Sequence, residues 1–592
     1  MQISACPSGL AGRIPRFACL MSGFHLTLPD YLVVAGYFII VLWVGFYFRN
    51  YLTTAKDYFA GGHQVPWWMA GISHYMSSFS AFSFIAYAQI GYSYGWVAVT
   101  LFWVTVPACI LGGLVFAGRW RRARIITPVE FVESRFSALL RQLFAWAGIP
   151  MKIFDDALKV FATGLFVSLA VGLSLHWAII ACGGVMIAYT FLGGLWALVV
   201  TDFVQFLMKA LAILLLLPLA LWKVGGIRKA FTGLPVHFLR PSGGPYGWIY
   251  IVGFAALIAI SYNGSWALAQ KYYSVKDERG ATKAAYFAAF LNFIGAPVMI
   301  VPALLARKFL PGLVAQHRTA DVYVLLVLKL LPAGMIGIII AAIFSATMAT
   351  VSADFNSMAG VLTQDVYHRL INPNAQQSGL VKMGRLITLG LGVLTVVLGL
   401  WIAMSRRQSL FHLMVTVFGL LLAPTLLPLL AGLTVRRLTR RGALAGFVAG
   451  LLTGVLTLAL KAWYLPTLRG ISPEWANYTF EGISILINTA ATILAMWLGS
   501  LYFSTDEEEQ GRIRRFFAAL DRPVTASEVK ETGASPLRAI GAATLGVGLL
   551  IAVAGILSQS FMARAMDLAI GAALILLGAA YFRKGAPRSK TA

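Results

Sequence analysis

The sequence predicts an all-α polytopic membrane protein, and three observations carry that prediction. Of 592 residues, 59% are hydrophobic and 12% charged, with a mean hydropathy of +0.79, which excludes an ordinary set of soluble domains. Apolar runs long enough to cross a bilayer, at about 20 residues each, recur about fifteen times. The basic residues behind a net charge of +25 cluster in short loops between those runs, where they set orientation and do not call for a nucleic acid partner.

In chain order the runs fall near 30–48, 66–91, 93–117, 138–172, 175–193, 195–222, 249–270, 281–306, 333–364, 384–404, 408–431, 441–461, 480–503, 538–558 and 564–582. Before them, 1–28 has short apolar stretches interrupted by Arg13, Pro15 and Arg16, which suits neither a signal peptide nor a folding unit. A disordered leader is expected there, with Met21 an alternative start. Cys6 and Cys19 lie in this leader and Cys109 and Cys182 in spans, so no disulfide or metal cluster is implied. Residues 29–50 make a first helix.

The loop from 118 to 141 sets Arg119, Arg121, Arg122, Arg124, Arg135 and Arg141 against Glu130 and Glu133, which places it in the cytoplasm and the N-terminus outside. Parity then puts 271–283, 369–385, 436–441 and the tail 583–592 inside, as for a multi-pass protein of the inner (plasma) membrane. The loop holding Lys223, Arg228, Lys229 and Arg240 falls outside, but its length weakens it as an orientation signal. Two accessory helices are expected within 438–503. Residues 504–537, which include Glu507 to Glu509 and Arg512 to Arg515, read as a cytoplasmic amphipathic linker too short for a catalytic or sensory domain. The two helices in 538–582 read as an appendage.

Polar residues at membrane depth carry the functional signal. The stretch SHYMSSFSAFS crowds Ser73, Ser77, Ser78, Ser80 and Ser83 inside an apolar run, a pattern tolerated where backbone lines a cavity or where helices pack. In MKIFDDALK, Lys152 can meet Asp155 or Asp156, and Asp155 can meet Lys159. That cluster is either a self-neutralising lock on helix packing or a polar wall of a solute pathway, or a proton relay. Asp202 has no basic neighbour within a turn and suits cation coupling. A second hydroxyl-rich stretch, Phe344 to Tyr367, offers Ser345, Thr347, Thr350, Ser352 and Ser357 with Asp354 and Asn356. Two hydroxyl-rich helices, one of them broken, can supply the oxygens a sodium ion needs. Hydroxyls that merely bond within helices are the commoner case.

Four motifs, DYFAGGHQVPWWMAGISHYMSSFSAFSFIAY, TPVEFVESRF, YTFLGGLWALVVTDFVQ and SADFNSMAGVLTQDVY, in that order from Asp57 to Tyr367, together resemble the sodium/solute symporter family. The resemblance implies a leucine-transporter-like 5+5 inverted repeat over 57–222 and 249–431, with one extra N-terminal helix and about four extra C-terminal ones, about fifteen crossings in all. It implies a first core helix unwound near SHYMSSFSAFS. It also implies a sodium site from the carbonyls of Met76, Phe79 and Ala346 and the side chains at 349 and 350. Thr350 keeps its hydroxyl, whereas Ala349 stands where members commonly carry Ser or Thr. A second ion site would use Asp202 and Ser352, with Ala353 lacking a hydroxyl.

At the positions where sugar carriers of the family place their contacts, this chain has Phe82, Ser83, Ser261 and Asn292, so a sugar is not supported. The expected solute-lining residues are Ser77, Ser78, Phe82, Ser83, Tyr262, Asn263 and Trp266, with Lys152 and Asp156 adding charge. The implied function is sodium-coupled symport of a small polar solute in a lipid bilayer, with Na+ as coupling ion and no organic cofactor. Proton coupling through Asp202, Asp155 and Asp156 is one alternative. A transport-like sensor acting through a cytoplasmic partner is another. An enzyme is disfavoured because the eight histidines form no HExxH-type cluster and no nucleophile sits in a recognised turn.

Overall fold

In hydrocarbon each backbone amide must be satisfied within its own segment, so the apolar runs fold as helices. The computed structural model describes residues 26–48, 54–316, 319–332, 335–404, 410–467, 472–502, 505–525, 528 and 536–585. Most of the expected leader, most of the tail and part of the linker lie outside the described residues. The chain opens with α1 (Leu28–Phe48), followed by α2 (Trp67–Ser77) and α3 (Ala81–Tyr94). Next come α4 (Val97–Arg122), α5 (Ala138–Val171), α6 (Leu175–Phe191) and α7 (Gly193–Lys223). The second half begins with α8 (Trp248–Gly264), α9 (Trp266–Tyr273) and α10 (Glu278–Phe309), then α11 (Ile336–Ile371), α12 (Gln377–Met404) and α13 (Leu410–Thr434). Outside these sets lie α14 (Arg440–Tyr464), α15 (Pro473–Tyr502), α16 (Glu507–Asp521), α17 (Pro536–Leu557) and α18 (Phe561–Lys584).

Among the described residues 11 helices are long and apolar enough to cross a membrane, or 12 if α8 and α9, bent by 49°, count as one span. The other three expected runs are helical too, but α2 and α3 are separated, α5 carries five charges and α6 is short. Each set of five therefore begins with a broken helix. The first break was expected; the second, at Ser265, was not. Between α6 and α7 the chain turns at Gly194, whose φ of 53° only glycine adopts without strain.

The centre of the bundle is α11. Every residue from Ile336 to Val361 is buried, its hydroxyls, Asp354 and Asn356 included. Asp30 ties α1 to the start of this helix: it accepts from Thr27 N at 2.9 Å and from Gly337 N at 2.8 Å.

The C-terminal hairpin packs more intimately than an appendage would. Gly541 and Gly548 of α17 face Gly578 and Gly571 of α18, Gly555 faces Asp567, and a Cβ on Gly548 would come within 2.8 Å of Ile575 N and 3.0 Å of Gly571 O. The hairpin rests on α1, where Leu550 fills the space beside Gly36. Tyr581 of α18 stacks on Trp68 of α2 with centroids 6.3 Å apart. Gly548→Leu should force the seam open and cost about 2–3 kcal/mol, read as a lower melting temperature of the purified protein.

The linker is docked as well. Phe516 of α16 stacks on Phe131 at 5.8 Å, Asp521 pairs with Arg436 at 2.7 Å, and Glu278 accepts from Val524 N at 3.0 Å. Arg124 donates to Glu528 at 2.6 Å and holds that carboxyl down at about 2. A depressed carboxyl contributes stability above its ordinary value of 4.5 and loses it as the pH falls through about 2. Because the pair is partly solvated, Glu528→Gln should cost no more than about 0.5 kcal/mol at neutral pH. Paired melts should show that difference narrowing once the pH drops below 4.5.

Candidate ion and solute site

The site is built around the break between α2 and α3. Ser78 ends the first half with φ −100° and ψ 5°, and Ser80 is extended at φ −144° and ψ 172°. Three of the five serines serve the two helix ends. Ser78 donates to Tyr75 O at 2.8 Å, Ser80 and Ser83 form a capping box at the start of α3, and Ser73 donates to Asp202 of α7. Ser77 Oγ is buried with no partner among the described residues.

The central helix serves both sides of the break. Thr347 Oγ1 accepts from Ala81 N, the first amide of α3, at 2.8 Å. One turn on, Thr350 Oγ1 faces the carbonyls of Met76 at 3.3 Å and Ala346 at 3.1 Å and donates closely to Phe79 O. One hydroxyl proton serves one acceptor, so four oxygens converge with a single donor among their side chains. Such an oxygen cluster suits a small hard cation. At 349 the helix presents only a methyl group.

Beside this cradle lies a cavity of about 120 Å³. Ser77, Ser78, Phe82 and Ser83 line one side, Ser261, Tyr262 and Ser265 another, and Thr350 joins it to the cradle. Lys152, Asp155, Lys159 and Asp354 form its charged wall, and with Asp156 behind them they make a five-membered cluster. Lys159 Nζ lies 2.8 Å from Asp155, 3.1 Å from Asp156 and 3.1 Å from Asp354, while Lys152 Nζ lies 3.0 Å from Asp354 and 3.4 Å from Asp155. Asp354 sits one turn beyond Thr350, so α11 links cradle and charges.

The sequence model of the sodium:solute symporter family matches residues 58–450. The chain belongs to this family. The symporter is 24% identical over 429 residues to the sodium/sialic acid symporter of Proteus mirabilis (strain HI4320), covering 69% of this chain and 85% of the relative. It is 28% identical over 399 residues to the sodium/glucose cotransporter of Vibrio parahaemolyticus, covering 61% and 72%. The solved substrate-bound, outward-open state of a Na+-coupled sialic acid symporter matches with a TM-score of 0.67 at 23% identity, over 81% of this chain and 98% of that one. The fold is accordingly that of the leucine-transporter class, with five-helix sets headed by broken helices.

The symporter brings Met76, Phe79, Ala346 and Thr350 together, and Ser77, Ser78, Phe82, Ser83, Tyr262 and Lys152 line its cavity. Three expected lining residues lie elsewhere. Asn263 is turned away because its Nδ2 donates to Ala108 O at 3.0 Å and Ala259 O at 2.8 Å, serving carbonyls near the second break. Trp266 fills the notch opposite Gly148, and Asp156 stands behind Lys159, fully buried. Asp202 and Ser352 are hydrogen-bonded to other partners: Ser352 Oγ turns back onto Met348 O, and Asp202 accepts from Ser73. Asp202 also has a neighbour that the linear sequence hid, since Lys271 lies close enough to act on it electrostatically. Asp354 was the cluster member missed. Its spacing of four from Thr350 was the available signal.

Proposed function

We propose that this symporter imports a small polar organic solute by alternating access, driven by inward sodium flow. The observation that carries this reading is the convergence of Thr350 Oγ1 with the Met76, Phe79 and Ala346 carbonyls at a helix break that opens on a polar cavity. The ion and the solute then share one hinge, and occupation of the cradle by sodium orders the segment that supplies Ser77, Ser78 and Ser83 to the solute. No bond is made or broken. A potential contributes about 2.3 kcal/mol per charge per 100 mV, so one sodium with a neutral solute sustains a gradient of one to two orders of magnitude.

The relatives named above carry sialic acid and glucose, which supports reading the solute as a polar organic molecule. Asn292, at a position where sugar carriers of the family hold a basic contact, donates to Ala288 O at 2.8 Å and speaks against glucose-like binding here. The charged wall suits a solute with an ionised group. We further propose fifteen crossings in the inner membrane with the N-terminus outside. In support, the basic loops meet on one face: Arg121 donates to Val275 O at 2.6 Å, and Arg124 and Arg436 both hold the linker.

Proteoliposome uptake tests the reading. A panel of sugars, carboxylates, amino acids and vitamins is first screened by thermal shift in sodium and in choline. The solute that stabilises the protein only with sodium should accumulate under a sodium gradient and not under choline. Equal accumulation in both would refute sodium coupling.

A further inference from the structure

One cation near the cradle plays no part in the account so far. Lys209 projects from α7 and is buried, with 1% of its surface exposed, and its Nζ has no hydrogen-bond partner among the described residues. Instead the ammonium rests on two aromatic faces, 3.4 Å from the Phe79 ring centroid and 3.8 Å from that of Tyr75. These residues bracket the end of α2, and Phe79 is the residue whose carbonyl faces Thr350. The carboxylate nearest along its own helix, Asp202, is two turns away and is engaged by Ser73. An ammonium with no carboxylate within a turn on its own helix therefore packs on the ring of Phe79, whose carbonyl belongs to a cradle with no side-chain oxygen at Ala349.

We propose that Lys209 is a tethered cation of the ion site. Its ammonium competes with sodium for the cradle of Met76, Phe79, Ala346 and Thr350. Two observations that are otherwise unconnected then acquire a common cause. The missing hydroxyl at 349 and the extra positive charge at 209 both lower sodium affinity, and the ammonium supplies the charge that the freed carbonyls need when sodium has left. A ring face attracts a cation without fixing it, so the aromatic pair is a resting place from which the four-carbon stem can swing. Hydrogen bonding to a carboxylate would have held it instead.

The inference rests on the sodium reading of the cradle, and one binding experiment separates the two. Radiolabelled sodium alone is bound to the full-length protein in nanodiscs, with choline as control, for the unaltered chain, Lys209→Met, Lys209→Gln, Lys209→Arg and Thr350→Ala. Removing the competing positive charge should tighten sodium binding at least about tenfold in both neutral variants. Lys209→Arg should stay near the unaltered chain. A gain of affinity cannot come from misfolding, and the second neutral variant covers loss of the first. If both neutral variants bind sodium no more tightly than the unaltered chain while Thr350→Ala has lost binding, the competition is wrong and the cradle stands. If Thr350→Ala binds sodium as well as the unaltered chain, the cradle itself is wrong and the tethered cation falls with it.

Discussion

Thr350→Ala should raise the sodium concentration for half-maximal uptake at least about tenfold, equivalent to about 1.4 kcal/mol, or abolish uptake. The hydroxyl is the side-chain oxygen that α11 sends to the carbonyls of Met76 and Phe79, and the neighbouring position, Ala349, has none to replace it. Thr350→Ser should restore most of the loss because it keeps the oxygen at the same distance from the backbone. Ala349→Ser should move the opposite way and lower the sodium requirement. Uptake titrated with sodium at constant ionic strength reads all three. A normal sodium requirement in Thr350→Ala would remove the cradle from the mechanism.

Lys159→Met should be the most destabilising single change within the bundle. One ammonium holds three carboxylates at 2.8 to 3.1 Å, and Lys152 reaches only Asp155 and Asp354. Removing one partner from a buried ionic cluster leaves uncompensated charge at a cost of about 3–5 kcal/mol. The double variant Lys159→Met with Asp354→Asn removes a negative charge together with the positive one and should recover a sizeable part of that loss. Thermal melts followed by tryptophan fluorescence check both. Equal melting temperatures for Lys159→Met and the unaltered chain would show that the cluster does not hold α5 to α11.

Which parts of this architecture could be read from the chain follows from the range of the forces involved. Hydropathy is local, and each apolar run became a helix near its expected place. The break at SHYMSSFSAFS was legible because five serines in eleven residues are costly in hydrocarbon unless they serve a helix end. The grouping of Met76, Phe79 and Ala346 with Thr350 came from the family resemblance, since carbonyl ligands leave no trace in side-chain identity. Contacts across the bundle were out of reach. Asp354 joined a charge cluster centred two hundred positions earlier, Ser73 took the carboxylate expected to face Ser352, and Lys209 found two rings on another helix. The second break was obscured because Ser261, Asn263, Gly264 and Ser265 are a sparser interruption than the five serines of the first.

The glycine-lined hairpin of α17 and α18 has a consequence for biogenesis. It covers α1 with two helices that are made long after it, and Tyr581 likewise packs on Trp68 of α2. The lateral face of α1 must therefore wait in lipid or with an insertion factor through almost the whole of translation. Until α17 and α18 are made α1 lacks this cover, so a chain stopped before Pro536 would leave the translocon with that face of α1 still uncovered.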